Sequence, residues 1–290
     1  MSEEKYWIYF ESRCVRPALV FFLLPDLDKN YSFDIFDHIT FPISAFPSLS
    51  AIQIHNDLYI TGGQGYHNQV VNSDVFAFSL NPNDYTLRVV RKPDMKSKRM
   101  KHAIVNVEDK HLYVVGGYGE NKLNSCERFT LRRNKWTPLP ALNVPRVSPA
   151  AYYLLHYIYV IGGYVPKRYT NFTYFERLDV NDEEAGWSLH RLKEGNKLIS
   201  RKAGSGTLAY SPYDILIFGG SANTYGTFNI KLNTIGFKAT KLDAYHGVPY
   251  DDKYRSIVGY RHKEKVYIIS ECTNKRICWL LRDKYWGVID

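Results

Sequence analysis

Four arginines recur at nearly the same distance before a repeated glycine pair or its equivalent. The guanidinium group is planar, permanently charged and shaped to bind a carboxylate or a carbonyl oxygen. The four lie 15 to 18 residues before the pair and are Arg99, Arg146, Arg201 and Arg255. Two interpretations are open for this set: a structural role at the start of a strand, or contact with an acidic partner.

A second set of small polar side chains lies fourteen residues before each pair. It comprises Ser48, His102, Ser148, Ser205 and Ser256. Short donors and acceptors at equivalent places could contact a bound peptide, or could only hydrogen-bond water. Three tyrosines, Tyr66, Tyr118 and Tyr164, follow the pairs closely. Tyrosine is a frequent anchor in binding sites, although such rings also pack locally.

Positive charge is concentrated in two segments of a chain whose net charge is +9. Residues 91–101 carry six Lys or Arg against one Asp, and residues 193–202 carry four against one Glu. Lys167 and Arg168 add to the same basic sector. The sector is either an ordinary solvated surface or a means of steering an acidic partner, with an attraction that falls off over about 8 Å.

Motifs for catalysis, metal binding and membrane insertion are absent from the sequence. The nine histidines show no HxH or HxxxH spacing, and no nucleophile elbow or phosphate-binding loop occurs. No apolar run is long enough to span a membrane, and the acidic N-terminus does not resemble a secretory signal. The four scattered cysteines indicate reduced thiols. We therefore expect no cofactor, no metal and a cytoplasmic location, with a cytoskeletal or nuclear location left open.

The glycine pairs themselves end apolar strands of one type and return about every fifty residues. The four copies are LYITGG, LYVVGG, IYVIGG and ILIFGG, which end at Gly63, Gly117, Gly163 and Gly220. A later copy, VYIISE, carries Ser270-Glu271 in place of the glycines, and an early one, LVFFLLPD, carries Pro25-Asp26. A fixed period of this length is the mark of a repeat architecture, here with six copies.

Each copy has the pattern of four short strands. In the third copy the predicted strands are residues 100–107, 111–117, 125–131 and 134–139, separated by turn residues. Helix should be scarce, because no stretch has a 3.6-residue apolar period. The glycines should let a neighbouring aromatic ring approach the backbone. Tryptophans on the fourth strand, such as Trp136 and Trp187, should fill the space between copies.

This constellation resembles the kelch family over essentially the whole chain. The resemblance implies an all-β fold, a six-bladed β-propeller of four-stranded antiparallel blades around a central channel. It predicts one domain, 1–290, with approximate blades 1–47, 48–97, 98–144, 145–200, 201–252 and 253–290. The strand KYWIYF at the N-terminus could belong to the first blade or join the last, and the mode of ring closure is open.

In such a blade, the loops between strands two and three and the segments between blades lie on one face, and such loops usually carry recognition. The resemblance also implies that the place of the second polar set often contacts peptides, while the arginine belongs to the kelch pattern itself. The predicted partner-binding residues are Tyr66, Arg99, His102, Tyr118, Arg146, Ser148, Tyr164, Lys167, Arg168, Arg201, Ser205, Arg255 and Ser256.

The function these features favour is a non-enzymatic protein–protein interaction module, an adaptor or scaffold that binds an acidic protein or peptide. It could be a subunit of a larger complex, such as a cytoskeletal assembly or a ubiquitin ligase. We expect no BTB or F-box segment in the chain, because blades fill it. The alternatives are a kelch-type enzyme that acts on a small sugar-like ligand in the channel, and a nucleic-acid-binding propeller, which no RNA-binding motif supports.

Overall fold

The structure is a computed structural model that describes fourteen ranges of the chain. These are residues 6–11, 18–23, 30–34, 48–64, 70–81, 86–121, 123–165, 174–194, 203–221, 230–241, 256–262, 265–272, 275–282 and 285–289. For the strands before residue 48 and after residue 240, the backbone alone is described.

All regular structure in these ranges is β-strand, apart from a 3₁₀ turn at Glu183–Ala185. The strands are β1 (Tyr6–Glu11), β2 (Ala18–Leu23), β3 (Asn30–Asp34), β4 (Ser50–Ile54), β5 (Asp57–Thr61), β6 (Val75–Leu80), β7 (Leu87–Lys92), β8 (Ala103–Val107), β9 (His111–Val115), β10 (Cys126–Thr130), β11 (Lys135–Leu139), β12 (Ala150–Leu154), β13 (Tyr157–Ile161), β14 (Tyr174–Asp179), β15 (Ser188–Arg191), β16 (Ala203–Ser211), β17 (Asp214–Ser221), β18 (Ile230–Asn233), β19 (Lys238–Lys241), β20 (Ser256–His262), β21 (Lys265–Cys272), β22 (Lys275–Arg282) and β23 (Tyr285–Ile289). The prediction of an all-β chain with little helix is confirmed.

Consecutive strands pair antiparallel, so each sheet is an up-and-down meander. The four strands predicted in the third copy are confirmed as β8 to β11, with bounds that differ by up to three residues. The second strand of a sheet is covered on both faces, as in β9, where Leu112 to Val115 are all buried. A continuous apolar run suits a strand of this kind, whereas β8 alternates between buried and half-buried residues.

The prediction of six four-stranded blades is not confirmed in full. Four four-stranded sheets between Ser50 and Lys241 are described with most of their side chains and establish four blades. The last sheet, β20 to β23, also has four strands and is described as backbone only. The first sheet has three strands, β1 to β3, in the described ranges. Residues 35–47, which would supply its fourth strand, lie outside those ranges. The KYWIYF strand is β1, and it pairs with β2 of the first sheet.

The chain divides into two compact units, residues 1–138 and 139–290. In the first unit, side chains from two neighbouring sheets form one core, in which Tyr59 and Val75 pack with Leu112, Phe129 and Trp136. In the second unit, a similar core contains Tyr159, Phe175, Ile217 and Leu232. The prediction of a single domain over residues 1–290, with its six blade boundaries, stays a prediction.

Each sheet has two ends that carry different connections, here called the turn end and the loop end. The turn end carries the hairpin turns that join the first strand to the second and the third to the fourth. The loop end carries the glycine pairs and the segments that enter the first strand. Antiparallel pairing of four consecutive strands requires this division, because successive connections alternate between the two ends.

The glycine pairs are needed for close approach of backbone to backbone. Gly117 has φ +103°, and a Cβ there would lie 2.7 Å from the carbonyl oxygen of Met100 and 2.9 Å from the Cβ of His102. Gly62 has φ +58°, and a Cβ there would overlap the carbonyl oxygen of Arg99. At Gly62 the ring of His102 also approaches, with its Cε1 3.0 Å from the same Cβ position, whereas at Gly117 the near neighbours are backbone and Cβ atoms and the expectation of an aromatic ring was wrong. A carbonyl comes so close because the segment entering a first strand hydrogen-bonds to the backbone beside the pair.

Each of two buried tryptophans donates a hydrogen bond to a proline carbonyl. Trp136 is buried against Phe129, and its indole N–H donates to the carbonyl oxygen of Pro93 at 2.8 Å. Trp187 is also buried, and its indole donates to the carbonyl oxygen of Pro140 at 3.0 Å. Pro93 directly follows β7, so Trp136 fixes the exit of that sheet to the next sheet of the first unit.

We predict that Gly117→Ala lowers the free energy of unfolding by about 3 kcal/mol, because it adds a steric clash to an unfavourable φ. Gly186→Ala is the matched control, since Gly186 also has positive φ (+77°) but a Cβ there would meet only Pro140 at 3.5 Å. The control should lose about 1 kcal/mol. Urea denaturation measures both, and equal losses would show that crowding at Gly117 does not matter.

Candidate interaction surface

A buried ion pair lies under the loop end of the third sheet. Arg99 is 0% exposed, and its Nη2 donates to Oε1 of Glu127 on β10 at 2.7 Å. Its Nη1 donates to the carbonyl oxygens of Gly116 at 2.8 Å and Ser125 at 2.9 Å. The guanidinium thus joins the segment before β8 to both ends of the loop between β9 and β10.

The carboxylate of Glu127 also holds the backbone of that entering segment. It accepts hydrogen bonds from the amide N–H of Lys96 at 2.6 Å and of Ser97 at 2.9 Å. Hydrogen bonds to a charged acceptor are stronger than those between neutral groups. The conformation of residues 96–99 is therefore set by one buried side chain of the blade that follows.

The fourth sheet repeats the arrangement in the second unit. Arg146 is 0% exposed, and its Nε donates to Oε1 of Glu176 at 3.0 Å while Nη1 donates to the carbonyl oxygen of Gly162 at 2.7 Å. Oε2 of Glu176 accepts the amide N–H of Asn143 at 2.6 Å. Burial lowers the pKa of Arg146 from its ordinary value, and the nearby carboxylate opposes that shift.

His102 connects the start of β8 to the preceding sheet. The side chain is buried, and its Nε2 lies 2.8 Å from the hydroxyl oxygen of Thr61 on β5. Its carbonyl oxygen accepts a hydrogen bond from the hydroxyl of Ser50 on β4 at 2.6 Å. Burial, and then the positive charge of Arg99, hold the pKa of His102 well below its usual value. The ring is therefore neutral at pH 7.

The tyrosines that follow the glycine pairs have a hydrogen-bonded backbone and are exposed to solvent. Tyr118 exchanges two backbone hydrogen bonds with Met100, both 2.8 Å, and is 36% exposed. Tyr164 makes the same exchange with Val147, at 2.9 and 2.7 Å, and is 52% exposed. The rings therefore lie at the loop ends of their own units on a main chain that is held in place.

The segment Lys96–Lys101, called the lysine segment below, carries exposed positive charge beside Tyr118. Lys96, Lys98 and Lys101 are exposed, and none forms an ion pair with a residue in the described ranges. Arg91, just before the segment, differs because it pairs with Asp74 at 2.9 Å and Asp94 at 3.1 Å. The uncompensated charge of this region therefore resides on the three lysines.

The described residues contain neither a membrane-crossing helix nor a metal-binding group. No helix among them is both long enough and apolar enough to cross a membrane. Within the same ranges, no group of three His, Cys, Asp or Glu side chains is placed to hold a metal ion.

Residues 48–270 match the KLHDC2/KLHL20/DRC7 Kelch-repeats domain. The chain belongs to the kelch-repeat family. Its four-stranded antiparallel sheets are blades of a kelch β-propeller, which confirms the family that the glycine pairs indicated. The matched region begins two residues before β4 and ends within β21.

Curated kelch proteins resemble part of the chain. Kelch-like protein 35 of Mus musculus is 34% identical over 116 residues, which is 38% of this chain and 18% of that protein. Kelch repeat and BTB domain-containing protein 2 of Cowpox virus (strain GRI-90 / Grishak) is 30% identical over 125 residues, 43% of this chain and 21% of that protein. Its Horsepox virus counterpart is 28% identical over 125 residues. Each alignment spans about a fifth of the relative.

The kelch arginines of the third and fourth blades do not lie on the surface. Arg99 and Arg146 were predicted to contact a partner, but both are fully buried and donate to internal carboxylates and carbonyls. The structural interpretation of these two arginines is therefore the correct one. His102 is corrected in the same way, since its ring faces Thr61 in the interior.

The other predicted residues fall into three groups. Tyr118 and Tyr164 are exposed at the loop end, and Ser148 is half-buried with φ +52° just before β12. Ser205 lies in β16 opposite Gly219, and Ser256 begins β20 opposite Glu271, both described as backbone only. The residues outside the described ranges are Tyr66, Lys167, Arg168, Arg201 and Arg255.

Sequence reasoning missed the glutamates that pair with the kelch arginines. The available signal was a Glu-Arg dipeptide on the third strand of both copies, in CERFT and YFERLD. The fifth sheet lacks this glutamate, because Ile230 lies opposite Ile217 where Glu176 lies opposite Val160. Trp279 takes the corresponding place in the last sheet. The described strands of these two sheets therefore place no carboxylate at that register position.

We predict that Arg146→Met lowers the free energy of unfolding by about 3 kcal/mol or more, because Glu176 is left as an unpaired buried charge. The double variant Arg146→Met with Glu176→Leu should recover much of that loss, since no buried charge remains. Arg91→Met, which breaks an exposed pair, should cost less than about 1 kcal/mol. Urea unfolding at neutral pH compares the three. A loss for Arg146→Met no larger than for Arg91→Met would refute the structural role of the buried pair.

We predict that His102 makes the fold less stable as the pH falls below about 6.5. Below that value the unfolded chain binds a proton that the buried ring does not, so stability falls by up to about 1.4 kcal/mol per pH unit. In His102→Gln the pH slope of the unfolding free energy should be smaller between about pH 7.5 and 5. An unchanged slope, or an NMR titration of His102 near the ordinary histidine value, would contradict this assignment.

Proposed function

We propose that this kelch propeller is a non-enzymatic protein-interaction module, an adaptor or scaffold subunit that binds an acidic protein or peptide at the loop end of its blades. The observation that carries the proposal is the lysine segment. It presents Lys96, Lys98 and Lys101 without acidic partners in the part of the chain that the structure describes, and the buried Glu127 accepts hydrogen bonds from its backbone amides.

A rigid basic segment is well suited to recognition. Ordering a flexible loop on binding costs free energy, and a segment fixed beforehand avoids most of that cost. Lysine charges in water attract an acidic partner during approach, chiefly by raising the rate of association. The three lysines supply such charge without any internal salt bridge in the described ranges having to break.

Tyr118 supplies the apolar component of the proposed contact. The loop that carries it lies against the lysine segment, because a Cβ at Gly119 would lie 2.7 Å from the carbonyl oxygen of Lys98. Tyr118 also pairs with Met100 through its backbone. An exposed tyrosine ring next to lysines can contact apolar atoms of a peptide while its hydroxyl bonds to polar ones.

In the second unit the proposed contacts are Tyr164, Ser148 and the residues beyond the described ranges. Arg201 is the foremost of these, because the register of β17 and β18 puts the buried Ile230 in the place of the kelch glutamate. A guanidinium without that internal carboxylate is suited to a carboxylate of a partner. Lys167, Arg168, Ser205, Arg255, Ser256 and, in the first unit, Tyr66 belong to the same proposal.

The four cysteines, which indicated reduced thiols, include Cys126, whose buried thiol donates a hydrogen bond to the carbonyl oxygen of Asn124 at 3.6 Å. We accordingly place the proposed interaction in the cytoplasm. We also propose that the protein is a subunit of a larger complex, which the kelch repeats of its relatives support. The BTB domain that the poxvirus relatives are named for is a feature of those proteins.

We predict that the triple variant Lys96→Glu, Lys98→Glu and Lys101→Glu no longer captures acidic partners. Its affinity for a purified partner should be lower by about tenfold or more. Affinity purification with mass spectrometry, followed by a binding isotherm, measures both. The matched control is Arg132→Glu with Arg133→Glu, a reversal of two exposed arginines at the turn end of the same sheet. The control should keep every partner.

Partners that survive the lysine reversal, or that are lost equally in both variants, would refute the proposed surface. Nuclease treatment before capture separates a nucleic-acid bridge from direct protein contact. Arg201→Ala belongs in the same assay, where it should lose partner binding with an unchanged free energy of unfolding. A loss of stability as large as that of Arg146→Met would instead assign Arg201 a structural role.

A further inference from the structure

Three large apolar side chains are exposed at hairpin turns of the second unit. Leu155 is 48% exposed, Tyr213 48% and Ile235 66%. They lie in the turns between β12 and β13, between β16 and β17, and between β18 and β19. All three turns are at the turn ends of their sheets, away from the glycine pairs and from Tyr164.

The two sheets that carry these turns are side by side with the same ends together. The hydroxyl of Thr207 on β16 donates to the carbonyl oxygen of Ala151 on β12 at 2.8 Å. These two residues hold equivalent register positions, because Ala151 lies opposite Val160 and Thr207 opposite Ile217. The turns that follow β12 and β16 therefore lie at the same end.

The turn with Ile235 is joined directly to the turn with Tyr213. Both the amide N–H and the hydroxyl of Thr234 donate to the carbonyl oxygen of Tyr213, at 2.9 and 2.8 Å. On the other sheet, the amide of Val180 donates to the carbonyl oxygen of His156 at 2.9 Å. The β14–β15 turn is thus next to Leu155.

Apolar side chains are unusual at these positions. Turns ordinarily favour Gly, Asn, Asp and Ser, and Leu155 adopts φ +59°, a conformation that Gly or Asn tolerates better. The corresponding turn residues with positive φ in the first unit are polar, namely His55, Asp109 and Asn134. Turn chemistry does not explain a leucine that is both strained and exposed, and exposed apolar patches of this kind are typical of interaction sites.

The rim of the patch is acidic in a chain whose net charge is +9. Asp182 and Glu184 in the β14–β15 turn are exposed, and the carboxylate of Asp182 caps no helical amide. The four turns, residues 155–156, 180–187, 212–213 and 234–237, contain no Lys or Arg. The charged side chains within these four turns are therefore all acidic, whereas Arg177 of β14, whose guanidinium lies over the ring of Phe237, adds a positive charge beside them.

We propose that this turn-end patch, Leu155, Tyr213 and Ile235 with Asp182 and Glu184 at its rim, binds a partner-protein segment that carries apolar side chains flanked by Lys or Arg. Apolar side chains of the segment would cover the three exposed residues, and its cations would pair with the two carboxylates. The patch is distinct from the lysine segment in both its charge and its residues. It does not rest on the proposed function.

A synthetic probe tests this assignment with the intact chain. The probe is a fluorescein-labelled peptide of about twelve residues that alternates Leu or Phe with Lys, long enough to span two adjacent turns. Its counterpart carries Glu in place of Lys. Fluorescence anisotropy gives the affinity, and hydrogen exchange locates the contact. The Lys peptide should bind, slow exchange in residues 180–186 and 234–236, and bind less tightly as salt is raised.

Two sets of variants and two controls make the result specific. Tyr213→Asn with Ile235→Asn should weaken the Lys peptide by about tenfold. Asp182→Lys with Glu184→Lys should weaken it by roughly threefold or more at low salt, with a smaller effect at high salt. Leu189→Asn, which changes an exposed leucine on β15, and the triple lysine reversal should leave the affinity unchanged. Circular dichroism verifies that each variant is folded.

Three results would overturn the proposal. The first is equal binding of the Lys and Glu peptides, and the second is unchanged affinity in both patch variants. The third is concentration-dependent self-association, seen by sedimentation, that Ile235→Asn abolishes. That result would assign the patch to a second copy of this chain instead of a partner segment.

Discussion

The buried arginine–glutamate pair is the interaction on which the loop ends of the third and fourth blades depend. A guanidinium inside a protein is tolerated only when a carboxylate and further acceptors replace its water. Arg99 and Arg146 satisfy this condition through Glu127 and Glu176 and through the carbonyl oxygens of Gly116 and Gly162. Each pair thereby connects the segment entering a blade, the glycine pair and the third strand of the same blade.

Several other features follow from that connection. The entering segment is held so close to the glycine pair that no Cβ fits at Gly117, and the same carboxylate fixes the amides of Lys96 and Ser97. His102 is then placed against Thr61 of the preceding sheet, where burial keeps it neutral. In the first unit, the hydrogen bond from Trp136 to the carbonyl oxygen of Pro93 likewise connects two neighbouring sheets.

The outer surface divides into two chemically different regions, one described in each unit. At the loop end of the first unit, exposed lysines lie next to a tyrosine on a backbone that buried groups hold in place. At the turn end of the second unit, exposed apolar side chains lie next to carboxylates. A family that repeats one blade can vary such exposed end residues with little effect on the cores, because most of the buried apolar side chains come from the strands.

The architecture could be predicted in large part from the sequence, and the functional assignment of the arginines could not. Period, apolar runs and turn residues are local signals, so four strands per copy and the kelch family were predictable from residues such as those of LYVVGG. For the tyrosines that follow the glycine pairs, the sequence left both binding and local packing open, and the structure shows Tyr118 and Tyr164 exposed. The burial of Arg99 depended instead on Glu127, a residue 28 positions away in another strand.

The sequence by itself determined the repeat of about fifty residues, the places of the four strands in the third copy and the segments that carry charge. Only the tertiary structure decided which charges face water, because a polar side chain is buried or exposed according to the partners that folding brings to it. Arg99 and Lys98 are neighbours in the same basic run, yet one is enclosed by a carboxylate and two carbonyls and the other is exposed. The regular spacing before the glycine pairs singles out Arg99, but it does not decide whether the side chain is buried, since the deciding carboxylate, Glu127, comes from a strand later in the chain.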